Sequence, residues 1–294
     1  VSEHAERFTH LRPLLFTIAY EIVGTATESD DVLQESYLRW AEVDLDTVTD
    51  TKSYLAQLVT RQSLNALRAQ SRRREEYVGP WLPEPLLVQT QDASADVVLA
   101  ESVSMAMMVV LETLSPDERA VFVLREVFGF GHDEIASAIG KSTAAVRQMA
   151  HRAREHVQSR RKRFSPVDPR RSAELTAQFF TAAASGDMEG LVAMLSPDVV
   201  WTADSDGKVS AARRPVSGAV NVAKLILGLL RIAGQDGRVE PAVYNNTPAL
   251  VTYLGDELAG VILVEYTDDK ISNFYAMRNP EKLGNVLVPR QISR

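Results

Sequence analysis

PDERAVFVLREVFGFGHDEIASAIGKSTAAVRQMAHRAREH, residues 116–156, is the stretch that decides how this chain is read. Its pattern is that of two helices joined by a tight turn. From His132 to Ile139 the apolar Ile135, Ala136 and Ile139 recur at helical spacing, and Gly140 follows, a residue able to turn with positive φ. Ser142 is placed to cap the next helix, because its hydroxyl can accept from an otherwise unpaired backbone N–H. At about 100° per residue, Val146, Met149, Ala150, Ala153 and Val157 share one face, which must pack inward. The opposite face carries Ala144, Gln148, His151 and Arg152, flanked by Arg147 and Arg154. Small and polar groups there suit base edges in a DNA groove, while the cations suit phosphates. Lys141 to Arg163 holds eight Lys/Arg against one acid, Glu155. An ordinary amphipathic helix with a solvated basic face is the competing reading.

The rest of the chain makes that signal more specific. Its 294 residues suggest two or three domains, and 45% hydrophobic with 24% charged residues is ordinary for a soluble globular protein. A formal net charge of −7 looks wrong for a DNA binder, but the charge is segregated. Thr51 to Arg74 has six Lys/Arg and no acid, while Glu28 to Asp50 is strongly acidic; the local patch, not the sum, governs nucleic-acid contact. Cysteine is absent, which excludes disulfides and thiolate chemistry. There is no run of 18 uncharged apolar residues, and SEHAERFTHLR lacks a signal-peptide core, so a soluble, cytoplasmic protein without membrane contact is expected.

Residues 3 to about 76 read as helices. Leu11, Leu14, Leu15, Ile18, Ala19 and Ile22 form one stripe, ended by Gly24. Ser29 or Asp30 is the expected cap of a second helix with Val32, Leu33, Tyr37 and Trp40 inward and Asp31, Gln34 and Glu35 outward. A third buries Leu55, Leu58, Val59 and Leu67 and leaves Lys52, Arg61, Arg68 and Arg72–Arg74 outside.

The run from Asp31 to Trp40 resembles the D-x-x-Q-E-x-[FY]-x-R motif of region 2 of bacterial sigma factors, the segment that docks on the clamp of core RNA polymerase. The later helix pair, with Val146-Arg147 and Arg152-Ala153-Arg154-Glu155, resembles region 4 of the extracytoplasmic-function group. Region 3 of larger sigma factors is missing. Where region 4 often has V-R-S-R, this chain has Val146-Arg147-Gln148-Met149, and Met149 faces inward on the wheel, so a change in packing is inferred. The resemblance implies polymerase binding by Asp31, Gln34 and Glu35. It implies contact with a melted −10 element by Lys52, Ser53, Tyr54, Arg61, Asn65 and Arg68, in a basic groove with pockets for unstacked bases. It further implies readout of a duplex −35 element by Ser142, Thr143, Arg147, Gln148, His151, Arg152 and Arg154. Tyrosine at a helical position is also an ordinary core residue, so Tyr54 alone decides nothing.

Residues 77–92, YVGPWLPEPLLVQTQD, hold three prolines and cannot continue a helix. Trp81, Leu82 and Leu86 need cover, from the first domain or from another surface. After a second linker, 164–171, a helical segment from Ser172 precedes the strand-like VVWTAD, ALVTYL, AGVILVEY and ISNFYAM, with the helix AVNVAKLILGLLRIAG between them. This is an α+β unit resembling the SnoaL-like cone, in which a bent sheet wraps a helix and leaves a pocket. Fold alone does not decide activity. All five histidines lie at or before His156, so the cone has no His–Asp pair, and neither a metal centre nor a cofactor is expected. Asp204, Asp206, Tyr244, Tyr253, Tyr266 and Tyr275 are the groups with proton-transfer chemistry, and nothing in the sequence joins two of them in one cavity. The turn composition of Asp204-Ser205-Asp206-Gly207-Lys208 predicts a surface loop.

Sigma factors with a fused SnoaL-like domain typically carry W-L-P-E-P, D-G-G-G-K and N-P-D-K-L motifs. Here Trp81-Leu82-Pro83-Glu84-Pro85 is intact, the Asp204–Lys208 loop keeps Asp204, Asp206, Gly207 and Lys208 in degenerate form, and Asn279-Pro280-Glu281-Lys282-Leu283 matches the third. The resemblance implies a regulatory interface made by these residues. The expected architecture is multidomain: an all-α region 2 bundle over 1–78, a linker over 79–95, an all-α region 4 over 96–163, a linker over 164–171 and an α+β cone over 172–294. The expected function is that of an alternative sigma factor, not an enzyme. Expected partners are core polymerase, promoter DNA and, left open, a small-molecule ligand of the cone; the free chain is expected to be a monomer. A one-component ligand-responsive transcription factor and a SnoaL-like isomerase or hydrolase with a DNA-binding appendage are the alternatives.

Overall fold

The computed structural model describes residues 2–89, 96–160 and 169–294. They fall into two compact units that do not follow chain order. The first takes the described residues between 2 and 76, between 88 and 160, and between 288 and 294; the second takes 77–87 and 169–287. The linker motif thus belongs to the second unit and the last seven residues to the first.

Three helices begin the first unit: α1 (Glu3–Val23), α2 (Ala26–Trp40) and α3 (Thr51–Arg74). Leu15, Ile18, Ile22, Leu33, Trp40, Leu55 and Val59 form their fully buried seam. Gly24, with φ of 85°, ends α1, and its N–H bonds Tyr20 O at 2.7 Å. The start of α2 corrects the sequence expectation. The helix begins three residues before Ser29, after Thr25, and buried Ser29 uses its hydroxyl on Thr25 O at 2.6 Å. A hydroxyl committed to a helical carbonyl is no longer a cap. Asp50 caps α3, accepting from Lys52 N at 2.9 Å and Ser53 N at 3.3 Å.

The unit continues with α4 (Val97–Ser102), α5 (Met105–Leu111), α6 (Pro116–Phe122), a π-helical turn Val123–Val127, α7 (His132–Ile139) and α8 (Thr143–Arg160). Ser115 and Glu118 make a reciprocal capping box at α6. Gly140 turns with φ of 68°, and Ser142 Oγ accepts from Ala145 N at 3.2 Å, as the sequence predicts. Arg161–Arg163 and the second linker through 168 lie outside the described residues.

In the second unit, α9 (Pro169–Ser185) and α10 (Met188–Met194) replace the single helix expected there; Gly186, at φ of 70°, breaks it. A six-stranded sheet follows in the order β2-β1-β6-β5-β4-β3, with β1 Leu195–Asp204, β2 Val216–Ser217, β3 Gly237–Tyr244, β4 Thr247–Leu254, β5 Glu257–Thr267 and β6 Lys270–Met277. β3 was not foreseen, because Arg238, Glu240 and Pro241 hide its pattern; as an edge strand it tolerates a proline. Helix α11 (Ala219–Ala233) packs Val222, Ala223 and Ile226 into a core shared with Phe179, Leu191, Trp201, Val264 and Phe274. β1 and β6 pair in parallel, with Asp204 opposite Met277. That register brings the loop after β1 beside the short helix α12 (Pro280–Leu283).

Candidate nucleic-acid interface and linker site

α8 folds as its periodicity demands. Val146, Met149, Ala150, Ala153 and Val157 are buried, while Arg147, Gln148, His151, Arg152 and Arg154 are exposed. Met149 fills an inward position, where a charged side chain would be costly. Arg152 lies 3.4 Å from Glu118, and Arg154 2.6 Å from Glu126. Thr143 donates to Asp133 at 2.6 Å, so among the −35 candidates the exposed Arg147 and Gln148 stand beside partly engaged neighbours.

Asp31, Gln34 and Glu35 are all exposed on α2. The positions i, i+3, i+4 and i+7 share a helix face, so Leu38, 57% exposed, completes the same patch. Sequence reading passed over Leu38, although the arithmetic that found the other three applies to it equally.

The −10 candidates lie along α3, and several are already bonded inside the first unit. Arg61 donates through Nε to Ala138 O at 3.1 Å and through Nη2 to Ser137 O at 2.9 Å. These carbonyls sit in the last turn of α7, where a cation is favoured. Ser53 Oγ is 3.0 Å from Glu134 Oε1, and Arg68 is 2.9 Å from Asp117, which also meets Lys141 at 3.1 Å. Lys52 and Asn65 are exposed; Tyr54, 38% exposed, tilts against Trp40 at 5.6 Å between ring centres.

In the second unit the three sequence motifs converge on Asp204. The predicted surface loop is corrected: Asp204 and Ser205 are buried, and the exposed turn is confined to Gly207 and Lys208. Asp204 closes β1, and the parallel register draws it under the linker, where its own O accepts from Arg278 N at 2.7 Å. Its Oδ2 accepts from Leu82 N at 2.7 Å and pairs with Lys282 Nζ at 2.8 Å; its Oδ1 accepts from the Tyr77 hydroxyl. Lys282 Nζ also donates to Leu82 O at 2.7 Å and stands 3.2 Å from the centre of the Trp81 ring. Both polar groups of the Leu82 backbone are therefore held, one by each member of a buried ion pair. Asn279 donates to Tyr77 Oη at 2.8 Å and caps α12 through Glu281 N at 3.1 Å. Burial, then the Asp204 carboxylate, pushes the Tyr77 hydroxyl far above its ordinary pKa, so it stays a donor. Outside this centre, Asp206 accepts from Val78 N at 3.0 Å, and Lys208 bridges Asp206 at 3.0 Å and Glu281 at 2.7 Å. Gly207, at φ of 67°, lies close under Val78; a Cβ there would meet Val78 at 3.2 Å. Downstream, Asn245 clasps Leu86, accepting from its N–H and donating its own N–H to Leu86 O, at 2.7 and 2.8 Å. Leu82, Pro83, Glu84, Pro85 and Leu86 are buried, and Leu283 packs inward beside Lys282 while Pro280 stays exposed.

Residues 7–73 match the family Sigma-70 region 2, and residues 104–157 match Sigma-70, region 4. The chain is 36% identical to the ECF RNA polymerase sigma factor SigJ of Mycobacterium tuberculosis, over 94% of this chain and 91% of that one. It belongs to the extracytoplasmic-function RNA polymerase sigma factors. It is also 29% identical to the probable ECF RNA polymerase sigma factor SigI of the same organism, over 92% of each chain. The crystal structure of the M. tuberculosis extracytoplasmic function sigma factor SigJ superposes with a TM-score of 0.75 at 32% identity, covering 97% of this chain and 99% of that one. The architecture is therefore two helical sigma regions with a C-terminal SnoaL-like fusion. A sigma factor partners core RNA polymerase and promoter DNA and is not an enzyme. That sets aside both the one-component regulator and the enzyme with a DNA-binding appendage.

The sigma factor's two helical regions are joined by a buried polar cluster absent from the sequence expectations. Arg119, on α6, donates through Nε to Glu21 O on α1 and through Nη1 to Glu112, each at 2.7 Å; Glu112 also pairs with Arg74 on α3. Burial opposes ionisation of Glu112, but the two arginines outweigh it and hold its pKa below the ordinary value. Glu21 is treated differently. Its Oε1 lies 2.6 Å from Ser102 Oγ on α4, its Oε2 has no hydrogen-bond partner among the described residues, and burial pushes its pKa up to about 8 against the pull of Ser102 and Arg119. Arg290, in the terminal segment, pairs with Asp30 at 2.6 Å. No helix among the described residues is long and apolar enough to cross a membrane, and no cluster of metal-ligating side chains occurs among them.

Proposed function

We propose that this sigma factor docks on core polymerase through Asp31, Gln34, Glu35 and Leu38, reads a duplex −35 element with α8, and holds a melted −10 strand along α3. The free chain is a cytoplasmic monomer, and the SnoaL-like domain regulates it through the linker. The observation that carries the regulatory reading is the double hold on Leu82 by Asp204 and Lys282, which fixes the chain immediately after region 2 to the end of β1 and to α12 of the cone. The bonds from Ser53, Arg61 and Arg68 to α6 and α7 support a closed resting form. In that form these three −10 groups are spent on region 4, so a melted strand reaches them only after they are released. The cone's cavity is the place for a small-molecule partner.

In-vitro transcription with core polymerase on a promoter library tests the whole. Promoter-specific initiation is expected, together with loss of core binding in a folded Asp31→Lys/Glu35→Lys variant. Tyr77→Phe keeps the ring but removes the hydroxyl held by Asp204 and Asn279, and it should change transcript yield. Wild-type yield from Tyr77→Phe and from Asp206→Ala alike would sink the regulatory reading.

A further inference from the structure

Glu118 is used on both sides of its carboxylate. Its Oε2 completes the capping box of α6, accepting from Ser115 Oγ at 2.7 Å and from Ser115 N at 3.4 Å. Its Oε1 faces α8, where Arg152 Nε lies 3.4 Å away. The Glu118 side chain is 25% exposed, against 58% for Arg152. The two terminal nitrogens of Arg152 make no hydrogen bond among the described residues, and exposed Gln148 stands one turn earlier on the same row of α8. We propose that Glu118, which lies outside the recognition helix, is a positioning residue for promoter readout: it aims Arg152 at a guanine of the −35 element. The proposal rests on reading α8 as the helix that enters the −35 groove.

An arginine on a helix surface has many rotamers, and freezing them against a base costs entropy that weakens the contact. A partner that already holds one side of the guanidinium removes part of that cost before DNA arrives. Glu118 suits the task because it is itself held. Pro116 is the first residue of α6 and Ser115 occupies one carboxylate oxygen, so the other is a fixed acceptor. The Ser115 hydroxyl, ahead of Arg152, keeps the Glu118 carboxyl below its ordinary pKa, so that acceptor stays an anion. A pair this exposed adds little to stability. Its effect is on direction.

The nitrogen that Glu118 takes decides which base is read. A carboxylate holding both terminal nitrogens would compete with DNA for the fork. Contact at Nε leaves Nη1 and Nη2 together, and that pair matches O6 and N7 of guanine, side by side in the major groove. Adenine puts an amine where guanine has O6, and neither thymine nor cytosine offers a second acceptor.

The test uses holoenzyme assembled from the full chain and core polymerase, on the promoter it selects from a library randomised over the −35 element. 7-Deazaguanine, which lacks N7 but still pairs with cytosine, replaces each −35 guanine in turn. At one of them it should weaken wild-type binding by about tenfold, and Arg152→Ala should erase that penalty. Glu118→Ala should cut the penalty to about threefold or less and leave the log–log salt slope unchanged, since no phosphate contact is lost. Glu118→Asp keeps an acid in the first turn of α6 but falls one methylene short of Arg152, and it should behave like Glu118→Ala. Glu118→Gln keeps the reach and the capping box, and it should recover part of the penalty. A residue that only capped α6 would move the melting temperature and leave the N7 penalty alone. Folded Glu118 variants that retain the full penalty overturn the proposal. So does tighter binding by them to every sequence, which would make Glu118 a competitor of DNA. Either result leaves Arg152 as a base reader. If no −35 guanine shows the penalty, or Arg152→Ala keeps the wild-type preference, the assignment of Arg152 to −35 readout has failed and the proposal falls with it.

Discussion

Each compact unit buries an ionic cluster, and the two are finished to different degrees. Around Asp204 each carboxylate oxygen has a donor, Lys282 has an anion, a carbonyl and a ring face, and the linker backbone supplies part of the set. Around Glu21, among the described residues, one carboxyl oxygen has no hydrogen-bond partner, and one guanidinium nitrogen of Arg119 is likewise unsatisfied. A completed buried network costs dearly to open, because opening strands a charge that was compensated. An incomplete one has already lost part of that compensation and gains hydration on opening. The comparison assigns the first cluster the part of a permanent staple for the linker. The second, placed where region 2 meets region 4, has the properties of a latch.

The largest effect should come from breaking the staple. Lys282→Met keeps much of the side-chain length but leaves Asp204, fully buried, without its cation; a loss of about 3–5 kcal/mol from the cone's unfolding transition is expected. Urea denaturation followed by tryptophan fluorescence measures it. Replacing both partners, as Lys282→Met with Asp204→Leu, should recover part of the loss, since two apolar groups strand no charge. A single variant as stable as wild type would mean that the pair adds nothing to the staple.

How much of this could be read in advance depends on range. α8 and α2 declare themselves within a few turns: the Ser142 cap, inward Met149 and outward Asp31, Gln34 and Glu35 all follow from 3.6-residue periodicity. Leu38 was equally legible by that spacing, as the fourth position on the face of Asp31, Gln34 and Glu35. Asp204 was not legible by the same means. Its loop has turn composition, and only the parallel pairing of β1 with β6, some 70 residues apart in sequence, carries it into the interior. The Glu21 cluster is similarly non-local, since α1, α3, α4 and α6 each contribute to it or to the Arg119–Glu112 pair beside it. The family motifs did mark Asp204 and Lys282 together; their contact, burial and partners came from the fold.

The second effect tests the latch through pH. Glu21 has an ordinary value of 4.5 and a closed-state value of about 8. Between these, an opened or unfolded chain releases a proton that the closed form retains, so the closed form binds more protons and loses stability as pH rises. The loss is about 1.4 kcal/mol per pH unit within that window, and it is complete above the closed-state value. Energy transfer between dyes on regions 2 and 4 should therefore report progressive separation from pH 5 to 8. Glu21→Gln should flatten that dependence and hold the closed form in alkali. A Gln variant with the wild-type pH profile would remove Glu21 from the latch.

Promoter readout should give a smaller effect, and one that differs along α8. His151→Ala or Arg152→Ala should cost about 1–3 kcal/mol on the preferred −35 sequence and relax preference there. Arg154→Ala should weaken binding to every sequence alike and lower the log–log salt slope by about 0.9, as loss of one phosphate contact requires. Binding titrations across salt separate the two behaviours. Equal losses on all sequences for all three variants would reduce α8 to a phosphate grip.

The smallest effect expected lies at the rim of the latch. Asp117 holds Arg68 at 2.9 Å and Lys141 at 3.1 Å, and both cations are substantially exposed. Pairs of this kind are worth about 0.2–1 kcal/mol each, because water screens the attraction and two long side chains lose freedom in making it. Asp117→Asn should then raise the ratio of separated to closed chains by about fivefold or less per pair, measured by the same dye pair at neutral pH. The increment should shrink as salt is raised, since the Debye length falls from about 10 Å at 0.1 M to about 3 Å at 1 M. The Glu21 effect, fully enclosed by protein, should persist under the same salt. If Asp117→Asn changes nothing at low salt, the rim ions are passengers and closure rests on the buried cluster and the α3–α7 contact. If instead the Glu21→Gln response vanishes in salt while the Asp117→Asn response survives, the roles of rim and interior are reversed, and the contrast between staple and latch fails with them.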